Sequence, residues 1–98
     1  MRTCNDVLET IGRNMQHLRN MGVRRLGLFG SCARDEHSQS SDLDFVVEFE
    51  RKSFDAYMDL KFFLEDLFDC SVDLVTFDSI RPELRDSILQ EVVYVPQL

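Results

Sequence analysis

Three aspartates in this sequence lie at the start of, or within, short apolar segments. Asp42 and Asp44 open the apolar segment 43–49, and Asp73 lies inside the segment 72–77. Because the side chains of a strand alternate between its two faces, Asp42 and Asp44 are expected to point the same way. Two such carboxylates repel each other, and a divalent cation removes the repulsion. Hard oxygen ligands suit Mg²⁺, so we predict a magnesium site formed by these two residues and Asp73.

A glycine–serine pair precedes these carboxylates in the chain. A short apolar segment ends at Gly30, and Ser31 then opens a polar loop. Glycine lets the backbone approach a phosphate closely, and exposed N–H groups at a strand-to-helix turn bind anions. The hydroxyl of Ser31 adds a donor, and Arg34 adds a positive charge that suits a triphosphate or a neighbouring carboxylate. We therefore expect Gly30, Ser31 and Arg34 to bind a nucleotide.

Each of these pieces is weak by itself. A Gly-Ser pair is common, an Asp-x-Asp pair on an acidic chain is often only surface charge, and Asp73 could simply face water from an edge strand. All three pieces lie at the end or the start of a predicted strand, however. Their coincidence favours one shared site over three unrelated explanations.

The hydrophobic pattern predicts the elements that position these residues. Apolar residues at three- and four-residue spacing indicate one amphipathic helix from Asp6 to about Met21. The other predicted elements are strands at 26–29, 43–49 and 72–77, a helix from an N-cap at Ser53 to Phe68, a helix that begins at Pro82 with Leu84 and Ile88 facing the core, and a candidate last strand at 92–95. The order α-β-β-α-β-α, with or without the last β, indicates an α/β (α+β) fold. We expect a small mixed β-sheet flanked by helices, in a single domain that spans 1–98.

The composition limits the class of protein further. The 98 residues are 44% hydrophobic, which is enough for one packed core. No apolar run approaches the roughly 18 residues of a membrane span, and the N-terminus lacks the pattern of a signal peptide. The three cysteines are widely spaced, which argues against a disulfide framework and a zinc site. We therefore expect a cytoplasmic protein without a membrane partner.

The charge of the chain bears on its partners. Eighteen acidic residues and eleven basic ones give a net charge of −7. Binding to a nucleic-acid backbone needs clustered Lys and Arg, and only Arg24-Arg25 and Arg51-Lys52 are adjacent. Long nucleic acid is therefore disfavoured as a partner. A metal-chelated nucleoside triphosphate or a basic protein remains compatible with this charge.

The spacing of the candidate residues resembles that of a known superfamily. Gly30-Ser31, ten further residues and then Asp42-Leu43-Asp44 match the G-S-x₁₀-D-x-D signature of the DNA polymerase β-like nucleotidyltransferases. The segments 28–34, 41–49 and 72–76 are similar to the minimal nucleotidyltransferase (MNT) branch of that superfamily. The resemblance extends over about residues 5–95, which is nearly the whole chain.

This resemblance implies a function and a role for each motif residue. MNT proteins typically act as antitoxins in a hetero-oligomer with a HEPN-domain RNase toxin, and the catalytic ones transfer AMP from ATP to a tyrosine near the toxin's active site. By position, Asp42, Asp44 and Asp73 would be catalytic ligands of two Mg²⁺ ions, while Gly30 and Ser31 would hold the nucleotide phosphates. All three aspartates would share one ion, and Asp42 and Asp44 would bind the second. Asp73 would also accept the proton of the attacking hydroxyl.

The chain departs from the family pattern at two positions of the polar loop. Cys32 stands where a basic residue is frequent, and Asp35 stands where a glycine is frequent. The first change removes a phosphate contact, and the second adds negative charge near the triphosphate. Neither change affects the three carboxylates, so they bear on the rate more than on the reaction.

Two other functions are compatible with the sequence. In one, the domain is a non-catalytic module that masks its toxin partner by binding, and in the other it adenylylates a small molecule. Larger nucleotidyltransferases carry extra domains for their acceptor, whereas this chain has room for the catalytic unit only. The acceptor is therefore expected to bring its own docking surface, which favours a partner protein.

Overall fold

The structure is a computed structural model and describes residues 4–30, 43–51 and 53–95. Its elements in chain order are α1 (Cys4–Gly12), α2 (Met15–Asn20), β1 (Val23–Phe29), β2 (Leu43–Phe49), α3 (Phe54–Phe68), β3 (Val72–Thr76), a 3₁₀ turn (Phe77–Ser79), α4 (Pro82–Glu91) and β4 (Val93–Tyr94). The predicted fold class and element order are confirmed, and the last strand is present. None of the described helices is long and apolar enough to cross a membrane.

The four strands form one mixed sheet in the order β3-β2-β1-β4. Strand β1 runs antiparallel to both β2 and β4, whereas β2 and β3 are parallel. A parallel pair cannot be joined by a tight turn, and α3 makes the crossover between β2 and β3. This arrangement places β2, with the predicted site residue Asp44, in the interior of the sheet.

One face of the sheet forms the hydrophobic core with α1, α2 and α3. Alternate residues of β2 are buried on this face, namely Leu43, Phe45, Val47 and Phe49. Helix α3 covers them with Leu60, Leu64 and Phe68, which are spaced four residues apart along one side of the helix. The rings of Phe45 and Phe68 stack with centroids 6.2 Å apart. Helix α3 and strand β2 thereby fix each other's position.

The N-terminal helical segment differs from the prediction, because two short helices replace the one expected from Asp6 to Met21. The amide side chain of Asn14 donates a 2.8 Å hydrogen bond to the carbonyl of Thr10, which a continuous helix would use for the backbone N–H of residue 14. That N–H bonds instead to the carbonyl of Ile11 at 2.9 Å. Gly12, a poor helix former, lies in the same turn. The break therefore has a local cause that hydrophobic spacing does not reveal.

Helix α3 begins and ends at well-defined caps. The predicted N-cap is confirmed, since the Ser53 hydroxyl accepts a 3.0 Å hydrogen bond from the backbone N–H of Ala56. At the other end, Asp69 adopts a left-handed conformation with φ 52° and stops the helix. These caps set the length of the crossover and thus the point at which β3 begins.

Two side chains of α3 cover the free edge of β3. The hydroxyl of Tyr57 donates a hydrogen bond to the carbonyl of Leu74, and the carboxylate of Glu65 accepts one from the backbone N–H of Val72 at 3.2 Å. Backbone groups at a sheet edge otherwise stay available to another chain. Helix α3 therefore shields the edge strand as well as the core.

Helix α4 begins at Pro82 as predicted but packs differently from the expectation. Leu84 was expected to face the core, yet it is 49% exposed, and Ile88 is only half-buried. Helices α1, α2 and α3 already cover the core face, and the buried cluster contains no residue of α4. The buried residue that precedes this helix is Ile80.

Candidate functional site

Two of the three predicted carboxylates lie side by side on the sheet. Asp44 of β2 is the register partner of Asp73 in β3, and in neighbouring parallel strands such partners point to the same face. Adjacent strands lie about 4.8 Å apart, so two carboxylates so paired can share one cation. Asp44 is half-buried and Asp73 is exposed. The prediction that these two residues meet at one point agrees with this register.

The pair lies on the face of the sheet opposite the core, which we call the second face. Its residues, taken from the strand registers, are Arg25, Gly27 and Phe29 of β1, Asp44, Val46 and Glu48 of β2, and Asp73 and Val75 of β3. The intervening residues of β2 point into the core. The alternation along β2 thus places Leu43, Phe45, Val47 and Phe49 in the core, and Asp44 on the other face together with the buried Val46 and the half-buried Glu48.

Gly30 packs directly against the carboxylate of Asp44. A Cβ atom on residue 30 would lie 2.2 Å from Oδ2 of Asp44, and residue 30 adopts φ +76°. Both observations require glycine, because an L-residue is strained at this φ and its Cβ would overlap the carboxylate. The backbone that leaves β1 therefore runs beside the Asp44–Asp73 pair, as a loop that binds a metal-chelated phosphate would need to do.

The other predicted site residues lie outside the described part of the chain. They are Asp42, Ser31 and Arg34, together with the two departures Cys32 and Asp35. Within residues 4–30, 43–51 and 53–95, no group of three His, Cys, Asp or Glu side chains is close enough to hold a metal. Asp44 and Asp73 supply two hard oxygen ligands of the kind Mg²⁺ prefers. The roles of the six predicted site residues stay predictions: Gly30, Ser31, Arg34, Asp42, Asp44 and Asp73.

Sequence reasoning missed a second cluster on this face, centred on Arg25. Its guanidinium donates to the Glu48 carboxylate at 3.2 and 3.4 Å, and its Cζ lies 4.6 Å from the centroid of the Phe77 ring and 5.8 Å from that of Tyr94. Arg24 also contacts Glu48, at 3.7 Å. The Arg24-Arg25 pair is thus engaged within the protein. The sequence did indicate the face of Glu48, because Glu48 follows Asp44 by four residues in the same strand and side chains two or four residues apart share a face.

A cavity of about 300 Å³ lies at the end of β2 remote from the carboxylates. Its lining includes Arg24, Glu48 and Phe77. Asp44 and Asp73 do not line it, so the candidate site is defined by the strand register and by Gly30 rather than by a cavity.

A mixed sheet with paired carboxylates beside a glycine is compatible with a nucleotidyltransferase, and the comparison with known families identifies that class. Residues 8–95 match the family model of the nucleotidyltransferase domain. This match spans well over half of the chain, so the chain belongs to the nucleotidyltransferase domain family, a family of enzymes.

Particular relatives narrow the comparison. The chain is 47% identical over 75 residues to a protein of Methanocaldococcus jannaschii that is assigned as a protein adenylyltransferase, covering 76% of this chain and 81% of that protein. It is 36% identical over 97 residues to the protein adenylyltransferase MntA of Thermococcus cleftensis, covering 97% and 98% of the two chains. The match to both relatives thus extends over most of their length.

Solved structures agree with these relatives. A structure assigned to a minimal nucleotidyltransferase is similar with a TM-score of 0.72 and 34% identity, over 88% of this chain and 93% of that one. The structure of a tri-AMPylated HEPN toxin of Shewanella oneidensis in complex with its MNT antitoxin gives a TM-score of 0.65 at 21% identity, over 91% and 71%. The second likeness supports the fold. The resemblance to the MNT branch is confirmed.

Proposed function

We propose that this protein transfers AMP from ATP to a tyrosine of a HEPN-domain toxin and thereby neutralises it. The observation that carries the proposal is the register of β2 and β3, which pairs Asp44 with Asp73 on the second face beside Gly30. Membership of the nucleotidyltransferase family and the names of the relatives support the reaction. The toxin complex of the Shewanella neighbour supports the kind of partner.

The proposed reaction is an in-line displacement at the α-phosphorus of ATP. The tyrosyl oxygen forms a bond to that phosphorus, and the bond between the α-phosphorus and the bridging oxygen of pyrophosphate breaks. Asp73, exposed at the edge strand, accepts the hydroxyl proton. The backbone at Gly30, with Ser31 and Arg34, which follow it in the sequence, holds the phosphates.

Asp44 and Asp73, with Asp42, which directly precedes β2 in the sequence, would hold the Mg²⁺ ions. A bound Mg²⁺ supplies charge stabilisation in the transition state and lowers the pKa of a coordinated hydroxyl. Glycine at position 30 serves this arrangement by leaving the Asp44 carboxylate its space. Removal of divalent ions with a chelator should therefore abolish transfer and leave the fold intact.

The test is incubation of the full chain with α-labelled ATP, Mg²⁺ and the proposed HEPN-domain partner. We expect label on the partner and loss of its RNase activity. Asp44→Asn and Asp73→Asn should each lower the transfer rate by roughly a hundredfold or more, because one ligand interaction is worth several kcal/mol in the transition state. Glu9→Gln is the matched control, since Glu9 is an exposed carboxylate of α1 on the core side of the sheet.

The outcomes separate the three functions considered for this chain. Mapping of the label to a tyrosine would establish the acceptor. Inhibition of the partner without label would favour the masking module, and label on a small molecule alone would favour the third function. Wild-type transfer rates in both aspartate variants would refute the proposed site.

A further inference from the structure

The outer side of α3 carries an unusual set of exposed apolar side chains. Phe54 is 75% exposed and Phe62 is 55% exposed, and Met58, midway between them, is half-buried. These residues are spaced four apart, so they form one stripe on the helix surface, which we call the α3 stripe. Single exposed apolar residues are ordinary on protein surfaces, whereas three in helical register form a continuous patch.

A row of carboxylates accompanies the α3 stripe. Asp59 and Asp66 lie three residues before and four residues after Phe62, and Asp55 lies one turn before Asp59, so all three border the same patch. In the described part of the chain, none of these carboxylates forms an ion pair. Lys61 is the one basic residue of α3. The patch is therefore apolar in its centre and negatively charged along one side.

The exposed apolar residues and the adjoining carboxylates together indicate which kind of surface can bind to the α3 stripe. A second copy of the chain would bring its own acidic row against this one, and the net charge of −7 opposes such pairing at any orientation. A partner with an apolar strip bordered by Lys or Arg matches both the phenylalanines and the carboxylates. Aromatic residues, phenylalanine among them, are also enriched at protein interfaces relative to the rest of the surface.

We infer that the α3 stripe is the docking surface for the acceptor protein, through an apolar strip on that protein flanked by basic residues. The inference rests on the proposed function for the identity of the partner. It goes beyond that function in assigning the binding energy to a surface that is separate from the carboxylates.

The separation follows from the sheet. The inner side of α3 packs on Phe45, which points away from the face that carries Asp44 and Asp73. The α3 stripe and the carboxylate pair therefore lie on opposite sides of a molecule whose extents are 32 × 32 × 23 Å. A partner docked on α3 leaves the second face open, and the segment that carries the acceptor side chain must extend around the domain or come from a neighbouring partner copy.

Two kinds of variant test the docking surface in the full chain. The first replaces the aromatic residues (Phe54→Ser with Phe62→Ser), and the second reverses charge in the acidic row (Asp59→Lys with Asp66→Lys). All four side chains are exposed, so the fold should survive, which urea denaturation would verify. Leu84→Ser, at an exposed leucine of α4, is the control for loss of apolar surface.

The probe is the purified HEPN-domain protein proposed as the partner, titrated by calorimetry and then used as acceptor with labelled ATP. We expect both docking variants to bind about ten-fold or more weakly, and Leu84→Ser to bind like the wild type. With saturating partner, the docking variants should transfer AMP at the wild-type kcat and differ in KM only. Asp44→Asn should do the reverse, with unchanged affinity and a lower kcat.

The possible results keep the two proposals apart. Unchanged affinity in both docking variants, or equal loss in Leu84→Ser, would overturn the docking surface while AMP transfer by the wild type upholds the proposed function. Binding that depends on the α3 stripe without any transfer would uphold the surface and reject the function. A concentration-dependent dimer of the chain that the aromatic variant abolishes, with partner binding unaffected, would assign the stripe to a second copy and overturn the inference. A wild type with no affinity for the partner would also overturn it.

Discussion

At the scale of single residues, the backbone of Gly30 lies directly against the carboxylate of Asp44. The left-handed backbone of Gly30 and the carboxylate of Asp44 occupy adjoining space, so that no side chain fits between them. Any substitution of this glycine must therefore move either the loop or the carboxylate. The contact makes the position of Asp44 depend on a residue that has no side chain of its own.

Gly30→Ala should reduce AMP transfer by about ten-fold or more. An alanine at φ +76° is strained by roughly 1–2 kcal/mol, and its Cβ would displace Oδ2 of Asp44. Gly12→Ala is the matched control, because nothing lies within 4 Å of a Cβ at that position. We expect normal transfer and equal or slightly higher stability there, since alanine is the better helix former. The measurements are labelled-ATP transfer and urea denaturation, and equal activity of the two variants would show that the contact is irrelevant to catalysis.

The sequence predicted these residues unequally. Asp44 and Asp73 could be found because strand alternation and their apolar neighbours fix the face to which they point. The direct packing of Gly30 on Asp44 could not, because it depends on the path by which the backbone leaves β1. The sequence shows Arg25 only as one of two adjacent arginines, and its hydrogen bond to Glu48 follows from the β1–β2 register.

Helix α3 contributes both to the hydrophobic core and to the proposed docking surface. Its inner side holds β2 and its outer side carries the α3 stripe, so large apolar residues occur on both sides. The two classes of residue should respond differently to the same substitution. This difference can be measured without any partner.

Leu64→Ala should lower the free energy of unfolding by about 2 to 5 kcal/mol, the usual cost of removing a fully buried leucine side chain. Phe62→Ala, in the same helix and at a larger side chain, should change it by less than about 0.5 kcal/mol because Phe62 is mostly exposed. Urea denaturation of the two variants compares them directly. A large loss of stability in Phe62→Ala would mean that this residue belongs to the core and is unavailable for docking.

The edge of β3 gives a second test of α3. Tyr57→Phe removes the hydroxyl that donates to the Leu74 carbonyl and should cost about 1 kcal/mol of stability. Tyr94→Phe is the control, because Tyr94 is exposed and its hydroxyl forms no hydrogen bond with a described residue. Denaturation and hydrogen exchange at β3 would measure the effect. Identical stability of both variants would indicate that water replaces the Tyr57 hydroxyl without cost.

Apart from the break between α1 and α2, the sequence was sufficient to predict which helices and strands form and in what order. It predicted only in part which side of each helix is buried. In α3 the spacing of Tyr57, Leu60, Leu64 and Leu67 predicts a single core stripe. Leu60 and Leu64 are buried as expected, but Leu67 is only half-buried and Phe68 is buried. Apolar residues surround most of this helix, so periodicity alone cannot choose its inner side. Helix α4 shows the same limit. Leu84 was expected in the core but is exposed, because helices α1, α2 and α3 cover the core face of the sheet.

Net charge acts at the scale of the whole molecule. A net charge of −7 on a 98-residue protein produces a negative field that extends beyond any single contact. Such a field changes the rate at which a basic partner arrives more than the strength of the final complex.

The association rate with the HEPN-domain partner should therefore fall several-fold as ionic strength rises from about 0.01 to about 1 M, because the Debye length shrinks from about 30 to about 3 Å. The dissociation rate, set by the apolar stripe, should change little. Stopped-flow mixing at several salt concentrations separates the two rates. An association rate that is independent of salt would argue against a basic surface on the partner.

Strand β2 joins the core to the chemistry within seven residues, because Phe45 and Asp44 are neighbours that point in opposite directions. A shift of one residue in the pairing of β2 would place Asp44 in the hydrophobic core and Phe45 on the opposite face of the sheet. The chain thus cannot complete its interior in the wrong alignment and still be stable. A molecule that has formed the native interior and the native register of β2 with β3 therefore already has Asp44 and Asp73 side by side on the opposite face.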